Sequence, residues 1–289
     1  MKLENVVKDV DSLVSLPAIA LRVMELIGQP STDNKILGEL IAHDPALTAR
    51  LLKLVNSAYF SVPRQVDSVS QAITLIGHKE LRNLVMATSA VAAFDGIATD
   101  LVDMGTFWRN SVTCGLICRL LAKRRQVADS EPLFIAGLLH KVGKLVMYGR
   151  YPETSMQVLQ FVDEGEAAMT EAEHRFFGFD HATLGAALLR HWNFPAIFPT
   201  LIEFHLHPGS ATEFQDETAL LHVAALITAG VEPETKPLRA PDALANNCDP
   251  GAWKRLGLQE AEVDELVSEA NREAFEVLQI IRPSAAINF

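Results

Sequence analysis

From Leu21 to Phe94 the apolar residues recur three and four positions apart, in runs opened by an acid or a serine and closed by a glycine or a proline. That period places them along one face of a helix. A half-buried strand would need strict alternation, and no such alternation persists in the chain. Leu21, Val23, Met24 and Ile27 form one stripe, which Gly28, Pro30 and Ser31 close. Asp33 can cap a helix carrying Ile36, Leu37, Leu40 and Ile41. Asp44-Pro45 is a stronger start, because the carboxylate accepts an orphan amide hydrogen and the fixed φ of proline suits the first helical position. The helix it opens runs to Asn56-Ser57, and residues 58–67 lack helical order. Ser68 then caps Val69 to Ile76, Gly77 stops that helix, and Lys79 to Phe94 forms another. The chain is expected to be all-α.

Around residues 95–103 the composition turns small and acidic, which marks a boundary between two helical halves. A long helix is expected from Met104 to about Arg125. Ser130-Glu131-Pro132 caps the next, and others follow near 152–164, 168–176, 180–192, 195–206 and 217–230. Between Gly230 and Gly251 the chain is rich in Pro, Asn, Asp and Glu, as a surface excursion would be. Val263, Leu266, Val267, Ala270, Ala274, Val277, Leu278 and Ile281 mark a last helix, expected to pack on the core of the second half, with a partner helix as the alternative. The domain reading is an N-terminal helical part at 1–100, a second helical part at 101–230, and a loop with an amphipathic helix at 231–289.

A chain of 289 residues with 49% hydrophobic content can build its core without disulfides or a structural metal. Its three cysteines are too few for a disulfide framework. Cys114 and Cys118, four apart in an apolar run, read as free buried thiols, which suits a reducing compartment, the cytoplasm. Met1 to Asn5 lacks the apolar core of a signal peptide, and no run approaches the ~20 apolar residues of a membrane span. A net charge of −11 disfavours nucleic acid and anionic membranes as partners. Arg119, Lys123, Arg124 and Arg125 read as the solvated end of one helix.

The stretch from Ala136 to Leu145 reads as a buried helix whose apolar run is interrupted by His140 and Lys141. A His followed by Asp at such a place would signal a metal-dependent phosphohydrolase. Lys141 instead brings a positive charge and no lone pair at neutral pH.

Two blocks carry a resemblance. The first is His43-Asp44-Pro45-Ala46-Leu47-Thr48 through Leu54, then Asn56-Ser57-Ala58-Tyr59-Phe60, Gln71-Ala72-Ile73 and Leu75-Ile76-Gly77. The second is Gly137-Leu138-Leu139-His140 with Gly143-Lys144, then Asp180-His181, Gly185, Leu188, Trp192, Pro195, and His205 to Pro208. Together they resemble the HDOD family, regulatory relatives of the HD-GYP and HD phosphohydrolases, over roughly residues 12–225. The resemblance implies an all-helical fold, an N-terminal bundle beside an HD-like half, and a role in bacterial signalling. Set against the metal ligands of the hydrolases, Asn110 stands for the first His, Lys141 for the Asp of the His-Asp pair, and Ala225 for the late Asp.

His140, His181, His205 and His207 remain. They read as hydrogen-bonded core histidines, as a zinc-holding set, or, with Lys141, as an anion pocket for a phosphate or nucleotide. The expectation is a degenerate pocket of Asn110, His140, Lys141, His181, His205 and His207, with no catalytic residue, metal or cofactor. The function expected is a non-catalytic scaffold that binds a protein partner, gated by a small ligand in that pocket. The alternatives are a divergent metal-dependent phosphohydrolase or cyclic-dinucleotide phosphodiesterase, and a nucleotide sensor without turnover. Elsewhere, Asn56-Ser57 is expected to fix a helix end, Tyr59-Phe60 to be core or partner surface, and Trp108 and Trp192 to anchor the core.

Overall fold

The computed structural model describes residues 1–10, 14–27, 33–60, 62–97, 100–127, 130–161, 165–229 and 247–285. Among these every regular element is helical and no strand occurs. The chain divides into two compact units that interleave along the sequence. The earlier unit is Val14–Gly96 with Glu273–Phe289, and the later one is Met1–Leu13 with Ile97–Arg272.

The earlier unit contains α2 (Ala18–Ile27), α3 (Asn34–Ala42), α4 (Pro45–Asn56) and α5 (Val69–Ala93). The caps written in the sequence are made: Asp33 accepts from the Lys35 amide, Asp44 from Leu47 and Ser68 from Gln71. α5 is one helical run broken at Gly77, whose φ of +83° suits glycine and lets the axis turn. Asn56 ties the segment after α4 in place. Its amide nitrogen donates to the carbonyls of Leu52 and Val66, each at 2.8 Å, and its oxygen accepts from the Val66 amide at 2.7 Å. Ser57 donates back to Leu54 at 2.7 Å. Tyr59 is buried and edge-on to Phe60, so it is a core residue and presents no partner surface. Val23, Leu37, Leu51, Leu54 and Leu84 build the core, joined by Ile280 from the C-terminal helix.

The later unit holds α1 (Leu3–Val10), α6 (Met104–Arg124), α7 (Glu131–Leu139), α8 (Val142–Arg150), α9 (Pro152–Leu159), α10 (Glu166–Phe177), α11 (His181–His191), α12 (Ile197–Phe204) and α13 (Gln215–Ala229). Trp108 and Trp192 are buried within it. Three expectations need correction. The stretch from Ala136 to Leu145 is two helices, with His140 and Lys141 in the turn between α7 and α8. Glycines explain the break. A Cβ on Gly137 of α7 would lie 2.6 Å from Gly115 Cα on α6, and one on Gly143 of α8 would overlap the His181 carbonyl on α11. Backbone contact with two different partners sets two helix directions, and the turn joins them. Ser130 stands at the N-cap of α7 but makes no capping bond. The basic end of α6 is a solvated face only in part: Lys123 is exposed, but Arg119 is buried, Arg124 pairs with Glu265 and Glu269, and Arg125 with Glu262.

The C-terminal helix, Glu260–Ile281, therefore serves both units rather than the second half alone. Leu266 and Ala270 are buried in its first part, and Ile280 lies in the core of the earlier unit. Arg282, just beyond it, donates to the Val91 carbonyl and pairs with Asp95. Within the expected excursion, residues 230–246 lie outside the described residues, and Pro250–Leu256 forms a further helix capped by Asp249.

Candidate functional site

Three of the expected residues come together in the later unit. His140 follows α7, His181 opens α11 and His205 follows α12, and all three are buried. The His140 and His205 ring centroids are 5.3 Å apart, and those of His181 and His205 5.6 Å apart. Each Nδ1 is engaged: His140 with the Gly137 carbonyl at 2.6 Å, His205 with the Ile202 carbonyl at 2.6 Å, and His181 with Glu173 Oε2 at 2.7 Å. Carbonyls and carboxylates only accept, so each Nδ1 carries a proton and donates. For His140 and His181 the Nε2 is buried with no hydrogen-bond partner among the described residues. Burial, with the neighbouring His140 and His181, holds the His205 pKa well below the usual histidine value.

The charges around the rings come from residues that sequence reasoning had not placed in a site. Lys144, on α8, is buried and donates to Glu166 Oε1 at 2.6 Å. The same oxygen lies 3.8 Å from His181 Nε2. Glu173 also accepts from the His181 backbone amide at 2.8 Å. Burial opposes the Lys144 ammonium, yet the carboxylates of Glu166 and Glu173 hold its pKa above the usual lysine range. Burial likewise opposes both carboxylates, and Lys144, Lys141 and His181 hold Glu166 well below the carboxylate range. Glu173 is lowered against burial chiefly by His181. Glu166 and Glu173 are seven residues apart on α10 and so share a face, a spacing that could have revealed them. Lys144, a lone lysine in an apolar run, was the matching signal for a buried carboxylate partner.

The other expected residues take different places. Lys141 is half-buried in the turn and helps hold Glu166 below the carboxylate range. Asn110 is half-buried on α6, one turn before Cys114, which lies beside His140. His207 is exposed at the start of the short turn Pro208–Ser210 and acts on His222, outside the cluster. Ala225 is half-buried on α13.

The site does not fit the divalent cation of the HD hydrolases. Among the described residues no three His, Cys, Asp or Glu side chains are arranged to hold a metal ion. Beside the rings the buried Lys144 ammonium, held on Glu166 Oε1 3.8 Å from His181 Nε2, sets a positive charge against an entering cation. Two surface hollows among the described residues, beside Arg190 and Phe194 and beside Arg124 and Arg272, are lined by none of the three histidines.

Comparison with known proteins places the chain. The family model described as HDOD domain matches residues 13–208. An uncharacterized protein of Treponema pallidum is 27% identical over 240 residues, 81% of this chain, and the match spans only 46% of that relative's length. A crystal structure from Shewanella amazonensis, provisionally described as a phosphohydrolase, shares 26% identity with a TM-score of 0.72, covering 96% of this chain and 97% of the other. An HDOD domain protein of unknown function from Geobacter sulfurreducens shares 26% identity with a TM-score of 0.71 at the same coverage. Among the described residues no helix is long and apolar enough to cross a membrane.

Proposed function

This chain belongs to the HDOD family, and we propose that it is a non-catalytic signal-transduction module, a cytoplasmic regulatory scaffold that acts by binding a protein partner. The observation that carries this reading is the buried Lys144 ammonium held on Glu166 Oε1, an oxygen 3.8 Å from His181 Nε2. A divalent cation entering beside these rings would meet that positive charge, a repulsion on the order of several kcal/mol at close range. The chemistry that such a cation supplies, a lowered water pKa and neutralised phosphate oxygens, then has no seat.

The test is elemental analysis of tag-free protein purified without chelator, beside a Lys141→Asp variant, followed by phosphodiesterase assays with Mn²⁺ on a cyclic dinucleotide. The expected result is no stoichiometric metal and no turnover in the native chain. One metal per chain, or hydrolysis abolished by His140→Ala, would replace the scaffold with a phosphohydrolase. Affinity capture of the same protein from a cell extract then seeks the partner.

A further inference from the structure

His222 makes two hydrogen bonds that a single protonation state allows. It is buried on α13, 7% exposed. Its Nδ1 lies 2.7 Å from the His205 carbonyl oxygen, and its Nε2 lies 3.0 Å from the Asp249 backbone nitrogen. The carbonyl accepts, so Nδ1–H donates. The backbone N–H donates, so Nε2 must offer its lone pair. Protonation would set one N–H against another inside the fold and leave both unsatisfied.

The second bond fastens a whole element. Asp249 precedes the helix Pro250–Leu256 and caps it, accepting from the Ala252 amide at 2.9 Å. Further polar ties of that helix to α13 come from Arg255, which pairs with Asp216 at 2.7 Å, the side chains 45% and 66% exposed, and donates to Gln215 at 3.3 Å. An exposed pair of that kind contributes only about 0–1 kcal/mol. Cys248, beside Asp249, is buried, and its thiol is pushed up to about 11 by burial and by the Asp249 carboxylate.

We infer that His222 is a proton-operated clasp: neutral, it holds the Cys248–Leu256 segment on α13, and protonated, it rejects the Asp249 amide and lets that segment open. Burial is the largest influence on His222 and holds its pKa below the usual value. The His205 carbonyl and the Asp249 carboxylate oppose burial, while His207 adds to it. Among the described residues, α6, α7, α12, the turn Pro208–Ser210 and the helix Pro250–Leu256 pack on α13, and the titratable groups acting on His222 beside the His205 carbonyl are the His207 ring and the Asp249 carboxylate. The sign follows. A histidine lowered in the folded state contributes stability that is complete above about pH 6.5 and is lost as the pH falls through the lowered native value.

Hydrogen exchange of the whole chain tests the clasp, with rates corrected for the intrinsic pH dependence of exchange. The pH is stepped from about 7.5 to about 4.5, and native protein is compared with His222→Gln, whose amide can serve both partners without titrating. In the native chain, protection of the Asp249 amide and of helix Pro250–Leu256 should fall by up to about tenfold per pH unit from about pH 6.5 down to the lowered native value, then level off, while α13 stays protected. The variant should show no such fall. Protection that is flat with pH, or that falls only together with α13, would overturn the proposal. That comparison is internal to the native protein, so it decides the matter even if the variant does not fold.

Discussion

At the residue scale, the buried lysine that matters is Lys144, not Lys141. Lys141 stands next to His140 in sequence, but the turn leaves it half-buried, while Lys144 returns beneath the ring cluster to meet Glu166. Breaking that pair strands a carboxylate. Lys144→Met should cost about 2–4 kcal/mol, toward the low end because the Glu166 side chain keeps 30% exposure. Lys144→Met with Glu166→Gln should recover most of the loss in urea unfolding. The pH dependence has a definite sign. Glu166 and Glu173 are lowered in the fold, so their contribution is complete above about pH 4.5 and is lost as the pH falls through the lowered native values. The gap between native protein and Lys144→Met should therefore narrow on acidification. Asn56 offers a second residue test. Asn56→Ala removes both ties to Val66, whose backbone is buried, and should cost about 2 kcal/mol with the helices otherwise intact by circular dichroism.

At the element scale, the site depends on how closely helices approach. α8 and α11 meet through Gly143, and a methyl group there would overlap the His181 carbonyl. Gly143→Ala should destabilise the later unit by about 3 kcal/mol, read as a lower urea midpoint, and should displace the His181 ring. Gly77 makes the contrasting case. Nothing lies within 4 Å of a Cβ there, so Gly77→Ala meets only the cost of its positive φ, about 1–2 kcal/mol. Equal losses at the two glycines would refute the close-approach account of Gly143.

For the molecule as a whole, the C-terminal helix decides what counts as a unit. Ile280 lies in the core of the earlier unit although it follows nearly the entire later one in sequence. Ile280→Ala should cost about 2–4 kcal/mol, and hydrogen exchange should report the loss in α2 to α5. The all-α class, the caps at Asp33, Asp44 and Ser68, the tie made by Asn56 and the burial of both tryptophans were legible in the sequence, because each rests on local spacing or on a neighbour within a few residues. The meeting of His140, His181 and His205 was legible only through the resemblance to a family. The turn between α7 and α8, the carboxylate partners of Lys144 and His181, the bond from Asp249 to His222 and the core role of Ile280 were decided by tertiary structure. Local order follows from a helical period that any short window contains, whereas charge balance, tautomer and close approach depend on groups brought together from distant parts of the chain.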